Sequence, residues 1–461
     1  MDSGSIIKGE YADAKVFAED VEDSCVSQIQ AMADHPAFDL RGTDKHIAVM
    51  PDCHQGKGSV IGFTMPLQNR IVANVIGVDI GCGVTAVRFN PKRHLELAHL
   101  DKEIRKRIPM GYEVRSDPSE HGFAMGGERE LFWDLVSGAQ HRLWVKLKGI
   151  FPDAPMPVSF DESCYIELCK RVRIDINRVQ ASIGTLGGGN HYIEIGDVDG
   201  EDGYWLSVHS GSRQLGSKIC KYWQDAATQR RKDKLTPDYE AEIARIREGT
   251  KPRSEIPKKI KEFRDRLGIK TMKGSTLDYL EGDDFYGYLW DMVFAQAYAA
   301  RNREMMVRDC MKIIGVKSAR GIDHIDTVHN YIDFEDLVIR KGAIRAHAGE
   351  TMIIPLNMRD GSLICVGLGN EDWNRSAPHG AGRLFSRTHA KSVLSMSEAK
   401  EQMEGIYTSV IPLDEAPGAY RGAEVIEGAI DPTAKIVERV KPVLNIKDDD
   451  KRTGVRGKRK G

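Results

Sequence analysis

The sequence predicts an α+β fold. Short apolar runs that end in polar turns recur at 45–50, 71–76, 84–89, 204–208 and 363–366, as strands do. Longer segments with helical spacing, several of them charged, alternate with these at 11–34, 92–147, 161–181 and 277–308. Helices and strands interspersed in this way, with no internal repeat, point to a mixed core.

The chain has 461 residues, room for roughly three ordinary domains or for one large catalytic unit with insertions. Hydrophobic residues make up 41% and charged residues 29%, the balance of a globular protein. The net charge of -2 carries no global signal for nucleic acid, so any such site must come from local clustering of the 66 Lys and Arg. The eight cysteines are dispersed with no CxxC pair, which argues against a disulfide framework and a zinc ribbon. Met1-Asp2-Ser3-Gly4 does not open a signal peptide, and no run of about 18 apolar residues suggests a membrane span. A reducing cytoplasm is the expected location.

Taken in order, the first strand, 45–50, ends in Pro51-Asp52-Cys53-His54-Gln55-Gly56, a polar turn on a rigid mount. Next, 71–76 reads as a strand entering Gly77-Val78-Asp79-Ile80-Gly81-Cys82-Gly83-Val84, with a second strand leaving it. Glycines free that turn to aim Asp79 and Cys82 at one point, as metal ligands or as a capping acid beside a buried thiol. Residues 92–147 read as packing and surface. Gly187-Gly188-Gly189 precedes Asn190, His191 and Glu194, and consecutive N–H donors there suit an anionic group. The strand 204–208 ends in His209-Ser210-Gly211-Ser212-Arg213. Residues 217–280 differ in composition and are expected as a charged helical insertion. The segment 277–308 reads as a buried core helix. His329-Asn330 then recurs, followed by the apolar 337–339 and a basic turn, Arg340-Lys341-Gly342. The tail, 448–461, is expected to be a charged, disordered end.

Asp79, Cys82, His191, His209 and His329 are five metal-capable side chains from four separated segments, enough for a two-metal centre with the thiolate as bridge. Packed or surface histidines are the competing reading. His379 stands in His-Gly-Ala-Gly-Arg, where small neighbours leave space for a bulky group and Arg383 offers paired donors to phosphate. A neutral imidazole nitrogen there could attack phosphorus; a histidine in an ordinary glycine turn is the competing reading.

Together these motifs resemble the RtcB family of RNA-splicing ligases. Six occur in the family's order over about 45–447: PDCHQG, GVDIGCG, LGGGNHYIE, VHSGSR, VHN and HGAGR. The resemblance implies one ligase domain over 1–447, with a central cleft and the 217–280 insertion inside it. It also implies two Mn2+ ions, one held by Asp79, Cys82 and His191, the other by Cys82, His209 and His329. Ligand softness alone would have suggested zinc.

His379 would be the catalytic nucleophile, guanylylated by GTP and passing GMP to an RNA 3′-phosphate, itself obtained by opening a 2′,3′-cyclic phosphate. The resulting RNA-(3′)pp(5′)G end would then be attacked by a 5′-hydroxyl. Asp52, Asn190, Glu194, Asn357, Ser362, Gly380, Ala381, Gly382, Arg383, Tyr420 and Lys447 would form the GTP pocket with His379. Arg178, Asn190, Arg213, Arg383 and Arg387 would meet RNA phosphates, with Lys341 a looser candidate. An accessory activator is a partner the resemblance leaves open.

The chain departs from the family's pattern at Leu356-Asn357-Met358-Arg359-Asp360, at Pro378 before the histidine, and at Asp448 after Lys447. These changes bear on the choice of RNA and of nucleotide. The alternative reading is a dinuclear metal-dependent phosphoesterase that processes RNA ends without joining them; a non-catalytic RNA-binding protein is a third.

Overall fold

The computed structural model describes residues 4–19, 21–117, 127–198, 203–266, 275–316 and 323–449. Of the tail expected at 448–461, all but the first two residues lie outside that set, as do 267–274 of the expected insertion.

The chain is an α+β protein with two large sheets. Its strands are β1 (Ser5–Lys8), β2 (Asp13–Val16), β3 (Ile47–His54), β4 (Ile61–Pro66), β5 (Gly83–Phe89), β6 (Tyr192–Val198), β7 (Tyr204–Ser210), β8 (His324–Val328), β9 (Asn330–Ile332), β10 (Val338–Lys341), β11 (Ala343–Arg345), β12 (Thr351–Pro355), β13 (Ser362–Gly367), β14 (Ser376–Pro378) and β15 (Ala434–Ile446). One sheet runs β1-β2-β3-β4-β10-β9 and the other β12-β13-β15-β6-β7-β5-β8, with β11 and β14 paired separately. The pairing of β2 with β3 is parallel. The strands around the site pair antiparallel.

The helix Gly282–Ile314 runs through the largest apolar cluster. Phe285, Tyr288, Leu289, Met292, Ala295 and Tyr298 are buried on it at spacings of three and four, the stripe that a core helix needs. It ends where Gly315 adopts a left-handed φ of 90° and its N–H reaches the carbonyl of Met311 at 3.1 Å.

Three local expectations change. Residues 73–76 form a short helix, Ala73–Ile76, and not a strand. All four are buried, so the apolar run carries no period from which to tell the two apart. The 11–34 segment is a strand, β2, followed by the helix Asp23–Ala33. Arg340 and Lys341 end the buried strand β10 and are not an exposed basic turn. Arg340 is fully buried because Asp333 at 3.2 Å and Asp336 at 2.7 Å compensate its charge.

The stretch set apart by composition from 217 onward begins as core. The helix Arg213–Gly249 buries Leu215, Ile219, Cys220, Trp223 and Ala227. Trp223 Nε1 donates to Asp291 at 2.7 Å, and Gln224 Oε1 accepts from the Asn74 N–H at 3.1 Å. Past Ala227 the helix turns charged and meets the helix Ile256–Arg266 through stacked Tyr239 and Phe263 rings. No helix among the described residues is long and apolar enough to cross a membrane.

Candidate active site

Strand register brings the metal-capable side chains to one end of four neighbouring strands. β5 pairs with β7 so that Gly83 faces Ser210 and Val84 faces His209. β6 pairs with β7 so that Tyr192 faces His209. β8 pairs with β5 so that Val328 faces Gly83. Cys82 therefore enters β5, His191 enters β6, His209 sits near the end of β7 and His329 leaves β8, all at the same edge. The His329 N–H donates to the Cys82 carbonyl at 2.9 Å and completes the closure.

The ligand atoms form two triads that share the sulfur: Asp79, Cys82 and His191, and Cys82, His209 and His329. Cys82 Sγ lies 3.4 Å from both His191 Nε2 and His209 Nε2. His209 Nε2 lies 3.4 Å from His329 Nε2, and Asp79 Oδ2 lies 3.0 Å from His191 Nε2. Two glycines create the space. A Cβ on Gly187 would stand 2.0 Å from His191 Nδ1, and one on Gly211 would stand 2.2 Å from Asp79 Oδ1. The glycine run before Asn190 thus makes room for a ligand ring.

Burial, helped by the neighbouring His329, drives the His209 ring well below the usual histidine range; burial, with His379, does the same to His329. Both rings are held neutral, with lone pairs to give. Burial and the Asp79 carboxylate push the Cys82 thiol well up. Burial would raise Asp79 too, but the His191 ring outweighs it and holds that carboxyl below its ordinary value. A carboxylate, a thiol and three imidazoles crowded this closely fit divalent cations, whose charge would favour the thiolate.

Beside them stands His379, its ring centroid 4.9 Å from that of His329. It follows β14, which is positioned by β11, where Ala343 pairs with Pro378. Asp52, from β3, accepts the His379 Nδ1–H at 2.6 Å and the His379 backbone N–H at 3.1 Å. Gly382, at φ 74°, brings the chain so close to the Asp52 backbone that a Cβ would fall 2.9 Å from the Asp52 carbonyl oxygen. A pocket of about 360 Å³ opens over both groups, lined by Asp79, Cys82, His209, His329, His379 and Gly380 among others.

A family model described as "tRNA-splicing ligase RtcB" matches residues 28–448. The chain belongs to the RtcB family. It is 30% identical over 426 residues to the RNA-splicing ligase RtcB of Escherichia coli K12, covering 87% of this chain and 90% of that protein. It is 25% identical over 484 residues to the tRNA-splicing ligase RtcB of Archaeoglobus fulgidus, covering 92% and 91%. The RNA-splicing ligase RtcB homolog 2 of Entamoeba dispar is 26% identical over 492 residues, covering 92% and 83%.

In this RtcB chain the expected nucleotide residues fall into two groups. Asn190, Glu194, Asn357, Gly380, Ala381, Gly382, Arg383, Tyr420 and Lys447 line the pocket. Ser362 is buried in β13, next to Gly361 of the pocket wall. Asn357 is occupied by its own turn: its Oδ1 accepts from the N–H groups of Arg359 and Asp360, and its amide donates to Asp360. Burial pushes the Glu194 carboxyl up to about 7, against the Asn445 amide at 2.8 Å and the Lys447 charge.

The expected RNA-facing residues divide as well. Arg387 lines the pocket and Arg383 is tied into it. Arg178 and Arg213 lie on an adjoining face, where they donate to the carbonyls of Tyr112 at 3.0 Å and Gly111 at 2.5 Å. Lys341 is buried. Its ammonium donates to the carbonyls of Lys57, of Ser59 at 3.4 Å and of Asn74 at 3.0 Å, and burial pulls it down to about 7. It braces the loop after β3 and the helix before Asp79, and it reaches no surface where RNA could meet it.

Several contributors escaped the sequence reading. Glu415 lies in the pocket wall, with Arg383 at 3.2 Å, Arg387 at 2.5 Å, Lys447 at 3.5 Å and the Tyr420 hydroxyl donating at 2.5 Å. Burial would raise its carboxyl, but Lys447 and Arg387 hold it below the ordinary range. Arg303 supports the metal edge from beneath. Its guanidinium donates to the carbonyls of Gly81 at 2.8 Å and Ser210 at 3.1 Å and is charge-balanced by Asp326. Asn302 beside it bonds the Gly211 carbonyl and the Ser210 hydroxyl at 3.1 Å each. The available signal was a polar pair inside the apolar stripe of a core helix. Glu415 left none, because its three cationic partners lie outside its own segment.

Proposed function

We propose that this RtcB-family protein is an RNA ligase that joins 2′,3′-cyclic phosphate or 3′-phosphate ends to 5′-hydroxyl ends, using GTP and His379. The observation that carries the reading is the Asp52 carboxylate on His379 Nδ1 at 2.6 Å. A carboxylate there fixes the tautomer with the proton on Nδ1 and leaves the Nε2 lone pair free. That nitrogen attacks the α-phosphorus of GTP; an N–P bond forms, the α–β P–O bond breaks, and pyrophosphate leaves with the electron pair.

A 3′-phosphate oxygen then takes GMP from His379 as the N–P bond breaks. The RNA 5′-hydroxyl oxygen attacks the 3′-phosphorus, loses its proton to a base and expels GMP. Activation is needed because a 3′-phosphate has no good leaving group of its own. Water opening a cyclic phosphate supplies the 3′-phosphate. Asp79, Cys82, His191, His209 and His329 would hold two metal ions, manganese by family resemblance, which neutralise charge at phosphoryl transfer. Tyr420, Lys447 and Glu194 would form the nucleotide side of the pocket. Arg383 and Arg387 would meet phosphate.

Purified protein incubated with GTP and Mn2+ should gain the mass of one guanylyl group, GMP less a water, and His379→Ala should not. Absence of the adduct on the wild-type chain, with cyclic ends still opened, would favour the phosphoesterase reading instead.

A further inference from the structure

Among the described phenylalanines, tyrosines and tryptophans, Tyr112 alone is exposed, at 81%. Its position is as unusual as its exposure. It sits in a tight turn in which the Glu113 N–H donates to the Met110 carbonyl at 3.0 Å. That turn rests on the glycine run beside the metal edge: Met110 bridges to Leu186, and the Leu186 N–H donates to the Pro109 carbonyl at 2.9 Å. Gly111 packs against Gly188, where a Cβ would lie 3.9 Å from the Gly111 Cα. Two guanidinium groups pin the turn, Arg213 on the Gly111 carbonyl and Arg178 on the Tyr112 carbonyl. Arg213 is itself anchored on the Thr185 hydroxyl at 3.1 Å.

The backbone under Tyr112 is therefore tied down while its ring stands in water. A rigid, solvent-facing aromatic flanked by two arginines is the arrangement single-stranded nucleic acid uses, with phosphates on the cations and a base on the ring. A protein partner would be expected to want a wider apolar patch, and Arg178 and Arg213 put charge there instead.

We propose that Tyr112 is a stacking platform for an unpaired base of the RNA strand whose end lies at the metal edge. The assignment rests on the RNA-ligase reading above. It adds a contact with a base, which carries no charge, to the phosphate contacts expected of Arg178 and Arg213.

The test is binding of the full-length protein to a fluorescent single-stranded RNA of about ten nucleotides with a 3′-phosphate, a length within usual site sizes. Tyr112→Ala should weaken binding about tenfold, within the range for loss of one stacked base. Tyr112→Trp should restore it. The slope of log affinity against log salt should stay the same for Tyr112→Ala and fall by about one for Arg178→Ala. An oligonucleotide with abasic sites should bind both Tyr112 forms equally. Guanylylation of His379 should be unchanged in Tyr112→Ala, so loss of the adduct in wild type alone would count against the ligase reading and leave the binding result to stand separately. Equal affinity of wild type and Tyr112→Ala, or failure of tryptophan to restore binding, would overturn the proposal.

Discussion

Asp52 and His379 lie 327 positions apart in the chain, yet the carboxylate takes both the ring Nδ1–H and the backbone N–H of the histidine on one oxygen. The contact fixes ring rotation and tautomer together, the two conditions an imidazole nucleophile needs. Asp52→Asn keeps the size but loses the charge and can offer an N–H where a proton acceptor is required. The rate of GMP adduct formation should fall on the order of 10⁴-fold, by analogy with loss of a tautomer-fixing aspartate. Circular dichroism should show the fold unchanged. A variant that guanylylates at the wild-type rate would remove Asp52 from the chemistry.

Cys82 belongs to both ligand triads and His329 to one. Equilibrium dialysis with Mn2+ should separate these roles. Cys82→Ala should weaken binding of both ions together. His329→Ala should weaken one, leaving about one ion per chain. Loss of a ligand should cost at least as much as loss of a supporting partner, about 10–100-fold in affinity. Full occupancy in Cys82→Ala would exclude a bridging sulfur.

Glu415 compensates three cations in the pocket wall. Glu415→Gln leaves the buried Lys447 and the largely covered Arg383 with unbalanced charge, while Arg387 is nearly half exposed and contributes less. Urea unfolding should register a loss of about 3 kcal/mol at neutral pH. The folded carboxyl titrates below its ordinary 4.5, so its contribution is full above that value and fades as the pH falls below it. An equal difference at pH 7 and at strongly acidic pH would refute the charge argument.

Asp336 offers a second pH test away from the metal edge. Burial would raise its carboxyl, but Arg340 at 2.7 Å and His347 at 2.8 Å pull it down to about 2 from an ordinary 3.8. A depressed carboxyl stabilises the fold above the unfolded value and loses that effect as pH drops through the folded one. Wild type should exceed Asp336→Asn by about 2 kcal/mol near pH 7. The gap should shrink between about pH 4 and pH 2. A gap independent of pH would mean that the residue acts by packing alone.

The motifs were legible in the sequence because their chemistry is local. Cys82, His191, His209 and His329 each stand next to an apolar alternation with a glycine or polar turn at its end, and a strand holds His209 and directly adjoins each of the other three. Helical spacing likewise exposed the long core helix. The short helix at 73–76 and the buried end of β10 were not legible, because continuous apolar or apolar-basic runs have no period from which to choose.

What the sequence alone determined is which side chains could do chemistry and that strands would mount them. Two facts belong to the tertiary structure. Antiparallel register sets four strand ends side by side, so that one sulfur stands 3.4 Å from two rings. Packing decides which cations stay inside: Arg340 is buried against Asp333 and Asp336, and Lys341 against backbone carbonyls. The pairing of β5 with β7 and β8 and the burial of Lys341 join residues far apart in the chain, and composition and spacing carry no record of those distances.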